Sequence, residues 1–242
     1  MTSIWLWIGT VGMALGAAYF ATLIPRANEK SRHFYFITFA IALTATIAYL
    51  TMATGKGQQL IGNDSGGGYR VFYYARYIDW TITTPLLLLD LALLGLTRPL
   101  RQLGLIITLI VLDLIMIEFG LIGGAAQGVG KYVWWAVATV AMIALLYLLV
   151  TRVLPQARAQ GQAVGNLYST ISTLTIVLWS IYPIVFFLGT EGLAIVGIDW
   201  EVLLYMVLDL SAKIGFGFLL LSNRRALEAT SSATPERSRG VA

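Results

Sequence analysis

The sequence predicts an all-α membrane protein built as a bundle of seven transmembrane helices. The 242-residue chain is 58% hydrophobic, only 12% charged and free of cysteine, a composition outside the ordinary range of soluble domains. It also contains seven apolar stretches, each long enough to cross about 30 Å of hydrocarbon. These stretches lie at residues 3–23, 34–54, 71–95, 104–124, 131–151, 165–189 and 199–221.

The segments around the apolar stretches indicate how the chain is organised. The first stretch lacks a preceding basic segment and a small-residue cleavage site, so we expect a retained helix. Most connections are short and polar, which leaves no room for an inserted soluble domain. The longer connection GKGQQLIGNDSGGGYR fits either a small hairpin or an irregular cap. The chain therefore divides into a transmembrane domain at 1–221 and a polar tail at 222–242, which we expect to be disordered and cytoplasmic.

Basic residues are distributed unequally between the two sides of the predicted bundle. Eleven lysines and arginines lie on the side of the C-terminus, against three on the other side. Because cytoplasmic loops carry the excess of basic residues, the N-terminus is expected outside the cell and the C-terminus in the cytoplasm. The chain is thus predicted to be a multi-pass protein of the cell (plasma) membrane. This bias also accounts for the net charge of +4, so no nucleic-acid partner is expected.

Charged residues deep inside the apolar stretches are the strongest indication of function. Each charge held in hydrocarbon costs about 2.5 to 3.5 kcal/mol or more, so a purely structural helix would not retain several of them. The third stretch, with RYIDWTITTPLLLLD, holds three, and others follow in the fourth and seventh. They are Arg76, Asp79, Asp90, Asp113, Glu118, Asp209 and Lys213.

The acidic residues of the third stretch share one helix face. Asp79 and Asp90 are 11 residues apart, which corresponds to about three turns and a rise of roughly 16 Å. Thr83 lies one turn from Asp79 on nearly the same face. This stripe of carboxyl, hydroxyl and carboxyl groups predicts a path for protons. The apolar residues around Asp90 favour its neutral, protonated form.

The seventh stretch supplies a cation near the middle of the membrane. Lys213 lies one helical turn from Asp209, and Asp79 is expected at a similar depth. A lysine in an apolar pocket is suited to form a Schiff base with a carbonyl compound, and the two carboxylates would balance its charge. The rings needed to line a polyene pocket are available in the middle stretches, at Trp80, Trp134, Trp135, Trp179, Tyr182 and Tyr205.

Structural interpretations of the same residues remain open at this point. A single lysine–aspartate pair also pins two transmembrane helices together, and aromatic residues in membrane helices commonly serve packing. Asp113 and Glu118 in the fourth stretch are interpreted as protonated carboxyls that hydrogen bond to neighbouring groups.

Three segments, ARYIDWTITTPLLLLDLALL, VLWSIYPIVFFLGTEG and VLDLSAKIGFG, closely resemble the third, sixth and seventh helices of microbial rhodopsins. The resemblance is to the bacteriorhodopsin-like outward proton pumps, and SIWLWIGTVGMALGAAYF and KYVWWAVATVAM extend it to about residues 3–221. It implies that the seven-helix bundle encloses retinal, held in the all-trans form as a protonated Schiff base on Lys213.

The resemblance also implies roles for the charged residues. Asp79 would be the proton acceptor and primary counterion, Asp209 the second counterion and Asp90 the cytoplasmic proton donor. Asp79, Thr83 and Asp90 together match the signature of proton pumps. Arg76 would be the gate toward the exit.

Further residues are assigned by the same resemblance. Glu191 and Glu201 match the pair that forms the extracellular release group. The positions that line retinal are matched by Tyr49, Tyr77, Trp80, Thr84, Met116, Trp135, Thr139, Met142, Trp179, Tyr182 and Pro183.

The sequence departs from the family pattern at a few positions. Phe186 stands where the archaeal pumps usually have a tryptophan, and Glu118 where they have a small residue. Trp135 occupies the place of a glycine that opens the pocket wall in antenna-binding relatives, so no carotenoid antenna is expected. The expected partners are protons and membrane lipids, together with further copies of the chain, because relatives often form trimers.

The sequence thus predicts a light-driven pump that moves protons from the cytoplasm to the outside, a transporter rather than an enzyme. Two alternatives come from other classes: a photosensor that signals through a membrane partner, and a transporter without photochemistry. The carboxyl at Asp90 favours a pump over a sensor, and the second alternative would require that Lys213 bind no retinal.

Overall fold

The computed structural model describes residues 3–62 and 68–232. Within them, seven helices are long and apolar enough to cross a membrane, which confirms the predicted fold class. They are α1 Ile4–Leu23, α2 Arg32–Ala53, α3 Tyr74–Gly95, α4 Leu103–Ala125, α5 Gly130–Ala159, α6 Gln162–Leu188 and α7 Ile198–Ser222.

The connection between α2 and α3 forms a β-hairpin, so the sequence alternative of an irregular cap was wrong. Strand β1, Gln59–Gly62, pairs antiparallel with β2, Tyr69–Phe72, in a register that places Gln59 opposite Phe72. The residues between the strands, 63–67, lie outside the described part of the chain. We call the end of the bundle with this hairpin the hairpin side and the opposite end the tail side. The N-terminus of α1 lies on the hairpin side.

The interior of the bundle is built around α3 and α7. Within the 18-residue apolar segment of each helix, half of the residues are buried in α7 and 61% in α3, against 22% in α4. Sequential helices pack side by side from α1 to α5, and α7 closes the bundle against α1 and α6. Because α3 and α7 are the most enclosed helices, the charged residues that they carry face the protein interior and not the lipid.

Two helices contain a π-helical turn, which the sequence analysis did not predict. One is at Leu149–Val153 in α5, just before Pro155, whose ring nitrogen has no hydrogen to donate. The hydroxyl of Tyr168 donates to the Leu149 carbonyl at 3.3 Å. The other is at Ser211–Gly215 in α7 and contains Lys213. A π turn inserts one extra residue and changes the direction in which its side chains point.

Two segments differ from the lengths that the sequence predicted. The fifth apolar stretch ends at residue 151, but α5 continues to Ala159 because polar residues extend the helix beyond its apolar part. The tail was expected to be disordered, yet Arg224–Ser232 forms an eighth helix, α8. Ala226 and Leu227 of α8 are buried, and α8 packs against α6. The remainder of the predicted tail, 233–242, lies outside the described residues.

Candidate functional site

Lys213 lies between two buried carboxylates, as the sequence predicted. Its Nζ is 2.7 Å from Asp209 Oδ1 and 3.1 Å from Asp79 Oδ2. Helix α7 contributes Lys213 and Asp209 one turn apart, and α3 places Asp79 opposite them. The three side chains are at most 2% exposed. One positive and two negative charges are therefore held together at the centre of the bundle, away from water.

The two carboxylates have different surroundings. Asp209 accepts hydrogen bonds from Tyr49 Oη at 2.7 Å, Trp80 Nε1 at 3.1 Å and Tyr182 Oη at 2.9 Å, in addition to Lys213. The carboxylate of Asp79 is paired with Lys213 at 3.1 Å, and within the described residues no tyrosine or tryptophan donates to it. Hydrogen-bond donors stabilise the charged form of a carboxyl group. The negative charge of Asp209 is therefore stabilised more strongly than that of Asp79.

A cavity lined by residues of α3, α4, α5, α6 and α7 begins at Lys213. Its wall is almost entirely aromatic and aliphatic. Such a wall, with one amine at its end, fits a long apolar carbonyl compound such as retinal, which the amine can bind covalently. The lining includes ten of the eleven predicted residues, Tyr77, Trp80, Thr84, Met116, Trp135, Thr139, Met142, Trp179, Tyr182 and Pro183.

The remaining predicted residue, Tyr49, does not line the cavity and instead contacts Asp209. Phe186, noted as a departure from the family pattern, is part of the wall. Other lining residues were missed because small and aliphatic residues in a transmembrane helix carry no signal of their own. They include Leu87, Ile117, Gly120, Ala138 and Ala212.

A second cluster of buried charges lies toward the hairpin side. Arg76 Nη1 is 3.9 Å from Glu201 Oε1, and its guanidinium lies 4.2 Å from the ring centroid of Tyr205. Glu201 Oε2 also accepts a hydrogen bond from the Thr190 amide at 2.6 Å. This arrangement brings together the arginine and one of the two glutamates that the sequence assigned to the proton exit.

Glu191 completes this cluster from the connection between α6 and α7. It is 2% exposed, and its Oε2 accepts a hydrogen bond from Tyr77 Oη at 3.0 Å. Burial raises the pKa of Glu191 to about 7, with the negative charge of Glu201 adding to the rise and the positive charge of Arg76 opposing it. A group with this pKa exchanges a proton close to neutral pH.

Asp90 lies apart from both clusters, in the tail-side half of α3. Its side chain is fully buried, and its Oδ2 accepts a hydrogen bond from Thr38 of α2 at 3.3 Å. The neighbouring Leu88 and Leu91 belong to the main hydrophobic cluster. Thr83 lies between Asp79 and Asp90 and donates to the Asp79 backbone carbonyl at 2.8 Å. The structure thus places a carboxyl group on either side of Thr83 along the buried face of α3.

The other two intramembrane acids make the hydrogen bonds that the sequence analysis expected. Asp113 Oδ2 accepts from Thr84 at 2.8 Å, and Glu118 Oε1 accepts from Thr81 at 2.9 Å. Both bonds join α3 to α4. These contacts agree with a structural role for Asp113 and Glu118.

Gly9 of α1 lets Tyr49 approach Asp209, which leads to a first prediction. A Cβ atom on Gly9 would overlap the Tyr49 ring and lie 3.2 Å from Met206 Cγ. We expect Gly9→Ala to destabilise the protein by about 1 to 3 kcal/mol, the usual cost of an overfilled core. Thermal unfolding in detergent measures this effect. The matched control is Gly104→Ala, because a Cβ there meets no atom within 4 Å. Equal unfolding temperatures for the two variants would contradict the prediction.

Comparison with known proteins identifies the family. Residues 1–227 match the family described as bacteriorhodopsin-like protein. Bacteriorhodopsin of Haloterrigena sp. (strain arg-4) is 45% identical over 241 residues, which cover 96% of this chain and 93% of the relative. The thermophilic rhodopsin of Rubrobacter xylanophilus superposes with a TM-score of 0.91 and 51% identity, covering 96% of this chain and all of that one. The light-driven proton pump rhodopsin of Coccomyxa subellipsoidea superposes with a TM-score of 0.85 at 34% identity, covering 90% of this chain and 95% of that one. The chain therefore belongs to the bacteriorhodopsin-like protein family.

Proposed function

We propose that this protein is a light-driven pump that carries protons from the cytoplasm to the outside of the cell across the plasma membrane. The observation that carries the proposal is the position of Lys213 Nζ, between Asp79 and Asp209 at the end of an apolar cavity. Membership of the family supports it, as does similarity to a solved rhodopsin described as a light-driven proton pump. The protein is accordingly a transporter.

Lys213 Nζ would hold retinal, the cofactor, through a protonated Schiff base. When bound, retinal supplies an isomerisation driven by light, which weakens the hold of the linked nitrogen on its proton. Lys213 is buried, so this nitrogen lies away from bulk water. Any proton that it loses must therefore move to a group of the protein, and the candidates within reach are Asp79 and Asp209.

Asp79 is the acceptor of this proton. Its Oδ2 lies 3.1 Å from Lys213 Nζ, and within the described residues no tyrosine or tryptophan donates to its carboxylate. Asp209 is closer to the nitrogen, but protonating it would weaken its bonds with Tyr49, Trp80 and Tyr182. The proton consequently moves to Asp79, because protonating Asp79 disrupts fewer hydrogen bonds than protonating Asp209.

Protons leave the protein on the hairpin side. Arg76 lies between the central cluster and the two buried glutamates, Glu191 and Glu201. Neutralisation of Asp79 removes a negative charge from one side of Arg76. The guanidinium then acts more strongly on the glutamates, which favours loss of a proton to the outside. The outside is assigned to the hairpin side because basic residues are concentrated on the tail side.

Asp90 returns a proton to Lys213 Nζ from the tail side. Its carboxyl is buried, with Thr38 as a hydrogen-bond donor and leucines around it, which suits a group that holds its proton until the nitrogen needs it. Asp90 then takes a new proton from the cytoplasm. Because acceptor and donor lie on opposite sides of the nitrogen, each cycle moves a proton outward.

The role of Asp90 leads to a second prediction. Asp90→Asn should leave the colour and the first proton transfer nearly unchanged but slow the return of the dark absorbance by about 10²-fold or more, the usual effect of losing a general acid. The proton must then come from bulk water, so the recovery rate should rise in proportion to acidity. Small diffusible acids such as azide should restore it. Flash spectroscopy from pH 5 to 8 measures both effects.

The matched control for this prediction is Asp113→Asn, which removes another buried carboxyl that is bonded to a threonine. It should recover at the rate of the parent protein. An Asp90→Asn variant whose recovery is fast and independent of pH would instead assign Asp90 a structural role and favour a photosensor.

The proposed function as a whole is tested in cells that express the protein with retinal. Illumination should acidify the medium of an unbuffered suspension, and a protonophore should abolish the change. Cells grown without retinal are the control. Visible absorbance without any light-driven acidification would refute the pump and leave the photosensor.

A further inference from the structure

Arg70 of β2 is a buried cation near the proton exit that the mechanism above does not use. Its side chain reaches the C-terminal end of α4, where Nη2 donates to the carbonyls of Gly124 and Ala126. Its guanidinium carbon lies 5.9 Å from the Phe72 ring centroid, and the residue is only 8% exposed. Nη1 is buried and hydrogen bonds to no residue that the structure describes. A permanent charge is thus held inside the protein at the hairpin side.

Gly124 is the place where Arg70 and Glu191 approach each other. Arg70 binds the carbonyl of this glycine. A Cβ atom on Gly124 would lie 3.3 Å from Glu191 Oε1 and 2.9 Å from the Tyr77 hydroxyl that donates to Glu191. The guanidinium and the carboxyl are therefore separated by the backbone of a single residue that has no side chain. Because the guanidinium of Arg70 and the carboxyl of Glu191 are close and buried, the positive charge favours the charged form of the carboxyl group.

The charged and titratable groups around Glu191 come from several elements. Lys131 at the start of α5 donates from Nζ to the carbonyl of the next residue, Gly192, at 2.9 Å. Burial is the main cause of the raised pKa of Glu191, and the charge of Glu201 adds to it, whereas the charges of Arg76 and Arg70 oppose it. The groups that face Glu191 within the described residues are Arg70, Arg76, Tyr77, Lys131, Glu201 and Tyr205.

We propose that Arg70 is a second cation of the proton exit, a positioning residue that sets the pH range in which Glu191 releases its proton to the outside. This inference rests on the proposed function. It adds an influence on proton release that does not depend on the central cluster. Arg76 responds to the charge of Asp79 during the cycle, whereas Arg70 is anchored to the end of α4 and supplies a constant charge. Arg70 therefore determines the pH at which release begins, and Arg76 determines when it occurs within the cycle.

The test compares variants that remove the charge with one that keeps it. Arg70→Gln and Arg70→Met lose the cation, and Arg70→Lys retains it. Lys56→Gln removes an exposed cation from the same connection and is the matched control. The purified protein with retinal is excited by a flash, and a pH-sensitive dye records proton release between pH 5 and 9. The quantity compared is the pH at which half of the molecules release a proton early in the cycle.

The sign of the expected change follows from electrostatics. A nearby positive charge favours the carboxylate, so loss of Arg70 raises the pKa of Glu191 and makes its proton harder to release. The midpoint of release should therefore move to higher pH by about 0.5 to 1 unit in Arg70→Gln and Arg70→Met. Arg70→Lys and Lys56→Gln should keep the midpoint of the parent protein.

Two results would overturn the proposal. The first is an unchanged midpoint in a charge-removing variant that retains the visible absorbance of the parent. The second is an equal shift in Arg70→Lys and Arg70→Gln, which would assign the effect to the lost contacts with Gly124 and not to the charge. If Arg70→Gln does not fold, the midpoint can still be measured in Arg70→Met, because the apolar side chain of methionine can remain buried. If the parent protein itself releases no proton in the light, the proposed function fails and not this inference alone.

Discussion

We expect Lys213→Ala to abolish the visible absorbance of the protein after incubation with retinal. Lys213 places its amine at the end of the cavity, and the other lysines lie outside it. Without this amine, retinal cannot form the charged linkage on which visible absorbance depends. We expect the loss of visible absorbance to be complete, because the methyl side chain of alanine cannot form a Schiff base with an aldehyde. Absorption spectra of the purified variant and of the parent protein measure it.

Two further variants separate the chemistry of the amine from the stability of the fold. Alanine leaves Asp79 and Asp209 without their cation, a change that typically costs about 3 to 5 kcal/mol for a buried pair. Lys213→Arg keeps a positive charge between them but carries a guanidinium, so it should fold and still be colourless. Lys131→Ala, which removes a buried lysine outside the cavity, should keep the colour. Visible absorbance in either Lys213 variant would refute the linkage site.

The central cluster was predictable from the sequence because helical spacing fixes both depth and face. Asp209 and Lys213 are four residues apart, and their side chains form an ion pair in the structure. Asp79 was placed at the same depth by its position in the third stretch, and it lies 3.1 Å from Lys213 Nζ. Transmembrane segments must form their backbone hydrogen bonds internally and therefore cross the membrane as regular helices. The position of a residue in the chain consequently indicates its depth in the membrane more directly than its depth in a soluble protein.

Features that depend on contacts between distant segments were not predictable in this way. The π turn at Ser211–Gly215 changes the direction of Lys213, but no residue in SAKIG demands it. Helix α8 follows from the burial of Ala226 and Leu227 against α6, whereas its composition resembles that of a disordered tail. From the sequence, Arg70 is only one of the three basic residues on the side opposite the C-terminus. Its burial arises because β2 folds back onto the end of α4.

The structure also distinguishes the two central carboxylates, which the sequence treated as a joint counterion. The difference lies in their hydrogen bonds: ring donors from α2, α3 and α6 converge on Asp209, and no tyrosine or tryptophan of the described residues donates to the Asp79 carboxylate. Spacing along a single helix cannot show which of two acids receives donors from other helices. The assignment of the acceptor to Asp79 therefore gains an independent physical argument from the fold.

We expect Asp79→Asn to shift the visible absorbance to longer wavelength and to abolish outward pumping. The carboxylate lies 3.1 Å from Lys213 Nζ, where its charge stabilises the positive charge of the linked nitrogen. Excitation moves that positive charge away from the nitrogen, so removing the anion lowers the excitation energy. An amide also cannot take up the proton, and the rate of transfer should fall by about 10²-fold or more, as for loss of a general base. Absorption spectra and the pH change of illuminated cells record the two effects.

Asp79→Glu is the matched variant for this prediction, because it keeps the carboxylate and lengthens its side chain by one methylene group. It should pump more slowly than the parent protein but faster than Asp79→Asn, and its colour should stay close to that of the parent. If Asp79→Asn pumped protons outward at the rate of the parent protein, the proton would have to be accepted by Asp209. In that case, the hydrogen bonds that Tyr49, Trp80 and Tyr182 donate would have to rearrange in every cycle. Infrared difference spectra would then show a protonated carboxyl group that persists in Asp79→Asn and is lost in Asp209→Asn.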